Sequence, residues 1–199
     1  MRKLPFIAAL VLVISIGTAL AQSDKQPQMS DQEKAMMAAW EKFATPGAPH
    51  KALAALAGAF DTKVTMWMAP GAPPSVSTGF SHNKMVLGDR YLEQTFNGTF
   101  NGMPFQGVGY TGYDNGKKQY FGTWMDNMST GVMTSTGTSS DGKSFKFNTV
   151  NTDAMTGKDS LGQSVLNVGD ADHHTMEMWG PGPDGKMFKM MQIDYTRKK

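Results

Sequence analysis

From Gly58 onward the chain repeats one pattern. Runs of about ten residues, rich in Val, Thr, Phe, Tyr and Trp, alternate with short stretches of turn chemistry. Ten such runs fall near 59–69, 75–86, 90–99, 104–113, 117–126, 131–139, 143–152, 158–168, 172–180 and 186–196. Between them stand Pro70-Gly71-Ala72-Pro73-Pro74, Leu87-Gly88-Asp89, Asn101-Gly102, Asn115-Gly116, Asp141-Gly142, Met155-Thr156-Gly157 and Pro183-Asp184-Gly185. Links this short leave no room for a helical crossover, so sequence neighbours pair as antiparallel hairpins. Ten meandering strands in one domain curl, and closing the sheet removes its exposed edges. The expected fold is mainly β: an antiparallel meander of about ten strands closed into a barrel over residues 58–199. A two-sheet sandwich is the alternative. It needs long crossing connections, and none follows Gly58.

One hairpin, Tyr110 to Asp126, is especially legible. Asn115-Gly116 is the pair best suited to the two positive-φ positions of a tight I′ turn, so such a turn is expected there. Strand side chains alternate, so the second arm places Tyr120, Gly122, Trp124 and Asp126 on one face and Phe121, Thr123 and Met125 on the other.

The segment before the meander reads differently. Residues 1–21 match a secretion signal: Arg2 and Lys3 form a basic start, Phe6 to Ile16 an apolar core, and Ala19-Leu20-Ala21 a cleavage site before Gln22. The apolar run is shorter than the ~20 residues a membrane span needs. Export to the periplasm or beyond is expected, with no integral membrane segment after cleavage. Residues 22–29 are a polar leader expected to be disordered, and 30–57 a helical segment. Ser30-Asp31-Gln32-Glu33 is a capping box, and Met36, Trp40 and Phe43 form the apolar stripe of a helix running to about Ala44. Thr45-Pro46-Gly47-Ala48-Pro49 stops it. A second short helix is expected over His50–Ala57, with Leu53 and Leu56 on one side.

Charge excludes some partners. Loss of Arg2 and Lys3 lowers Lys+Arg from 19 to 17, equal to the 17 Asp+Glu. No basic stripe remains for nucleic acid. With 0 Cys, no disulfide staples the fold, and a hydrophobic core must hold it alone. The 22 Gly and 17 Met suit many turns and an adaptable interior.

Gly58-x-Phe60, opening the meander after a short helix, resembles the Gly-x-Trp opening of lipocalin-type barrels, and the fold expected is lipocalin/calycin-like. A wider set of motifs resembles the bacterial family catalogued as domain of unknown function 1579. It runs from His50–Leu53, Leu56 and Gly58 through Trp67-Met68-Ala69-Pro70-Gly71-Ala72-Pro73-Pro74 and Leu87-Gly88. It continues with Gly98-Thr99-Phe100, Gly102-Met103-Pro104-Phe105, Gly112-Tyr113-Asp114-Asn115, Trp124-Met125-Asp126 and Ser129-Thr130-Gly131. Met155-Thr156-Gly157 and Gly182-Pro183-Asp184-Gly185 through Tyr195-Thr196-Arg197 complete it. Phe60 stands where Trp is more usual, and Asp89 where a second Gly is common. The resemblance implies a compact barrel-like domain and brings no agreed activity or catalytic residues.

Met66-Trp67-Met68 and His174-Thr175-Met176-Glu177-Met178-Trp179 carry soft-metal ligand types. On a strand, however, i and i+2 side chains emerge about 6.5–7 Å apart, so one strand cannot enclose an ion, and core filling by Met is the simpler role. His173 and His174 face opposite ways and cannot chelate together. Asp114 and Asp126 sit at turns, where Asp bonds local amides. Glu177 faces solvent if Met176 and Met178 face inward. No metal or other cofactor is expected, and no nucleophile elbow or phosphate loop occurs. A ten-strand barrel is wide enough to hold a small ligand. The expected function is non-catalytic binding of a small, largely apolar molecule in the barrel, with Trp67, His82, Tyr110, Trp124, Asp126 and Glu177 as pocket residues. The alternatives are an acid–base enzyme using His82, Asp126 or Glu177, and a structural or partner-binding barrel with a filled core.

Overall fold

The computed structural model describes residues 29–199. The expected signal and all of the leader except Met29 lie outside the described residues. The first helix, α1, spans Asp31–Ala44. Its capping box forms as expected. The Glu33 amide donates to the Ser30 hydroxyl at 3.3 Å, and the Ser30 amide donates to the Glu33 carboxylate at 2.8 Å. The Ser30 amide, and after it the Ser30 hydroxyl, which also donates to the carboxylate at 2.8 Å, hold the Glu33 carboxyl below its ordinary range. No α1 residue is buried, and Met36, Trp40 and Phe43 all stay exposed. The barrel holds only the end of this helix. Asn115 donates its side-chain amide to the carbonyls of Phe43 and Thr45, at 2.9 and 2.8 Å, and Arg90 donates to the Ala44 carbonyl at 2.9 Å. Carbonyls left unpaired by the helix end are satisfied in this way.

The second helix, α2, spans Ala48–Ala54 and begins earlier than the sequence suggests. Pro49 sits in its first turn, where a missing N–H breaks no helical bond, so proline starts this helix rather than excluding it. The Gly47 amide donates to Nδ1 of the buried His50 at 3.0 Å.

Ten strands follow: β1 (Gly58–Met66), β2 (Ser75–Val86), β3 (Tyr91–Phe100), β4 (Met103–Asp114), β5 (Gln119–Asp126), β6 (Met133–Thr138), β7 (Ser144–Thr152), β8 (Asp159–Val168), β9 (His173–Pro181) and β10 (Met187–Arg197). Each pairs antiparallel with its sequence neighbour, and β1 pairs with β10, Phe60 opposite Arg197 through Met66 opposite Met191. The meander is therefore a closed barrel, as its spacing predicts. Period two is clear in β1: Phe60, Thr62 and Val64 are buried, while Asp61 and Lys63 are exposed. Among the described residues no helix is long and apolar enough to cross a membrane.

The two Asn-Gly pairs adopt different turns. Asn101 and Gly102, the whole link between β3 and β4, take φ of 49° and 78°, as a I′ turn requires. At Asn115-Gly116 the expected I′ turn does not form. The link there is four residues long, and its left-handed residue is Lys118, with φ of 53°. Asp114 explains the difference. Its carboxylate accepts from the Gly116 and Lys117 amides at 2.8 and 2.9 Å, which winds the chain into a local turn. Asn115 is meanwhile engaged by the end of α1.

One end of the barrel is plugged. Leu53 from α2 and Leu56 just after it join Leu92, Tyr120, Phe145, Phe147 and Leu166 in the buried core. Near-complete burial of a side chain like Leu53 or Phe145 stabilises the fold by about 1.5–3 kcal/mol each.

Candidate functional site

Inside the barrel, beneath the α2 plug, is a cavity of about 40 Å³. This is room for about three waters. Its apolar wall comes from Leu53 and Leu56 above and Leu92, Phe145, Phe147, Leu166 and Met176 around it. Its polar wall is formed by Asn83, Gln94, Thr111, His174 and Tyr195. Alternation aims these groups inward from β2, β3, β4, β9 and β10.

Part of the polar wall is a connected chain. The Asn83 amide donates to the Leu56 carbonyl at 3.0 Å, tying the wall to the plug. The Ser81 hydroxyl donates to Asn83 Oδ1 at 2.9 Å. Gln94 Nε2 donates to the Ser81 oxygen at 3.0 Å and to the Tyr195 oxygen at 3.3 Å. Ser81, Asn83 and Tyr195 are all buried, so these bonds offset the desolvation that each group suffers.

His174 and Tyr195 face one another across the β9–β10 ladder. Their rings stack with centroids 4.1 Å apart and planes 16° from parallel. Phe60 and His174 form a T-shaped pair with centroids 4.6 Å apart, and the Arg197 guanidinium lies 4.7 Å from the Phe60 ring. Burial pushes the His174 imidazole down to about 4, with the Arg197 charge acting in the same direction. Burial pushes the Tyr195 phenol up to about 12, against the Gln94 hydrogen bond. Both groups are therefore uncharged at neutral pH. The His174 ring lines the cavity and makes no side-chain hydrogen bond among the described residues. The hydroxyl of the buried Thr62, opposite Tyr195 in the β1–β10 ladder, is buried without a partner.

None of the six residues expected from the sequence lines this cavity. Trp124 and Asp126 do share the inward face of β5 with buried Tyr120, and the Trp124 indole donates to Asp126 at 3.1 Å. Trp124 lies flat over Gly107 and Gly109, where a Cβ on Gly109 would meet the Thr123 carbonyl at 2.6 Å. Asp126 also accepts from the Met128 amide at 3.0 Å, the turn role its position suggests. His82 is exposed on the outer face of β2, next to buried Ser81. Tyr110 is outward too. It donates to Glu93 at 2.9 Å, and Glu93 pairs with Lys84 at 2.8 Å. Lys84, then Tyr110, hold the Glu93 carboxyl below its ordinary range. Glu177 takes the solvent-side option: it accepts from Lys189 at 2.9 Å, and Lys189 stands 5.3 Å from the Trp67 ring. Trp67, Phe188 and Lys189 border an open groove of about 250 Å³ beside Pro70 and Gly71. His82, Asp126 and Glu177 thus sit on three strands that are not neighbours in the barrel, and they do not converge.

The residues that line the cavity were partly visible in the sequence. Alternation groups His174 with Met176 and Met178, and the hydrophobic majority turns that face inward. Asn83 and Gln94 gave no signal, because a polar residue within a strand ordinarily marks the solvent face.

Similarity to known proteins agrees with this architecture. The structure resembles the crystal structure of Rv2717c from M. tuberculosis at 14% identity and a TM-score of 0.59, covering 78% of this chain and 100% of that one. It also resembles a redesigned β-barrel at 13% identity and a TM-score of 0.41, covering 74% of this chain and 96% of the other. The likeness to Rv2717c concerns the fold alone. No curated protein matches the chain. Residues 45–197, from the end of α1 to the last residue of β10, match the family described as protein of unknown function (DUF1579), and the chain belongs to that family.

Proposed function

We propose that this barrel binds a small, largely apolar molecule in its interior, without catalysing a reaction, after export from the cytoplasm. The observation that carries the reading is the interior cavity, bounded by an apolar plug on one side and an uncharged polar wall on the other. Binding pockets combine a mostly apolar lining with a few placed polar groups. The volume sets a limit on the ligand. As closed, the cavity accepts only a few non-hydrogen atoms, and a larger molecule enters when α2 withdraws Leu53 and Leu56. The Thr45-Pro46-Gly47 link before α2 is short and glycine-containing, which suits such a movement. The acid–base alternative has less support, because His82, Asp126 and Glu177 lie on separate strands and do not converge.

Native mass spectrometry of the full chain, expressed in an exporting bacterium and purified without denaturation, tests this reading. A polypeptide beginning at Gln22 and carrying a constant small-molecule adduct is the expected result. Clean apo mass across independent preparations removes the binding reading. An uncleaved chain removes the expectation of export.

A further inference from the structure

Resting on that binding reading, we propose that His174 and Tyr195 select a ligand with an uncharged hydrogen-bonding head, such as a ketone, amide or alcohol oxygen, and that the cavity rejects ions of the same size. The donors and acceptors left over in the wall support this. Tyr195 accepts from Gln94, so its own proton remains to be given, and no described residue accepts it. A phenol holding a spare proton inside a cavity is a donor for a carbonyl or hydroxyl oxygen. The His174 ring adds one N–H and one lone pair, and it makes no side-chain hydrogen bond among the described residues. The neighbouring Ser81–Asn83–Gln94 chain is internally paired and serves structure instead. A buried polar group without a partner is destabilising, and one such group, the Thr62 hydroxyl, lies opposite Tyr195.

Charge sets the other half of the specificity. No Asp, Glu, Lys or Arg lines the cavity. Arg197 lies against Phe60, donates to the carbonyls of Ala57 and Ala171, and pairs with Asp172 at 3.4 Å. A carboxylate or ammonium entering here would leave water without gaining a counterion, which is strongly unfavourable. A neutral head would lose little and satisfy the spare donor.

The test uses acetone, acetamide, acetate and isopropylammonium, each of about four non-hydrogen atoms and near the capacity of the cavity. Each is titrated to about 100 mM at pH 7 into the full chain, a range that suits ligands this small. NMR follows the His174 ring and the Met176 methyl, with Met176→Leu for assignment. Acetone and acetamide should shift both signals saturably, while acetate and isopropylammonium leave them in place. Tyr195→Phe should weaken acetone about tenfold, the loss of one good hydrogen bond. Gln94→Leu, which frees the Tyr195 hydroxyl, is the second variant if the first fails to fold. Ions that bind as well as the neutral probes would overturn the selectivity and leave the binding reading intact. So would neutral probes indifferent to both variants. If no probe moves either interior signal, the selectivity proposal falls, and the binding reading stands or falls on the mass-spectrometric test.

Discussion

Replacing Phe60 with alanine should destabilise the barrel by about 4 kcal/mol, within the range of about 3–5 kcal/mol for emptying a large aromatic site. Phe60 is 0% exposed and stands on β1 at the seam where the first strand meets the last. It meets His174 in a T-shaped pair, Tyr195 at 6.2 Å in another, and Arg197 through its face. Arg197 in turn donates to the Ala57 carbonyl at 2.9 Å, so the last strand is tied to the residue just before β1. The two neighbours across the seam cannot fill the space, because both rings are held in the sheet by their own backbone pairing. Chemical denaturation with a constant m-value measures the loss. A loss below about 1 kcal/mol would mean that the seam repacks freely, contrary to close packing there.

Acidification should produce the second large effect. His174 binds its proton near 6.5 when unfolded and only at about 4 when folded. Between those values the unfolded chain holds more protons, so stability falls as pH falls through this window. Above pH 6.5 the contribution is fully present. By about pH 4 it amounts to a loss of about 3 kcal/mol, the free-energy equivalent of the shift. His50, lowered by burial, adds a slope of the same sign. Asp141, Asp153 and Asp170, held low by hydrogen bonds at turns, contribute only at more acidic pH. The difference between the parent and His174→Phe therefore isolates one group. Denaturation midpoints at pH 7, 6, 5 and 4 should fall less steeply for the variant. Parallel slopes would place the His174 ring in contact with solvent rather than inside the barrel.

The fold was legible because period two, turn chemistry and short links all point the same way. Ten runs predicted from composition became ten strands, and the shortness of the links settled antiparallel pairing before any contact was known. Local detail was legible only where local chemistry decided it. Ser30 and Glu33 formed their box unaided, and Asp114 capped its turn. Asn115-Gly116 was misread because its geometry depends on two things outside the dipeptide: the Asp114 carboxylate and the end of α1 that occupies Asn115. Pro49 resembles a stop in the sequence because the helix it begins has few other start signals. The candidate site was harder still. Tyr and Trp residues with carboxylates nearby drew attention to Tyr110, Trp124, Asp126 and Glu177, yet Tyr110 and Glu177 face outward into cross-strand ion pairs and hydrogen bonds. The cavity wall instead uses Asn83 and Gln94, whose inward direction follows from closure of the barrel and not from their own neighbours.

The proposal that the barrel binds a ligand inside is tested most directly at Met176, whose side chain lines the cavity wall. Methyl NMR spectra of methionine-labelled protein are compared before and after unfolding and refolding, which releases any bound molecule. Met68 and Met155, 71% and 93% exposed, serve as references. A ligand-binding barrel requires the Met176 signal to move on refolding and to return when the released small-molecule fraction is added back, while Met68 and Met155 stay fixed. An unchanged Met176 signal would contradict binding inside the barrel.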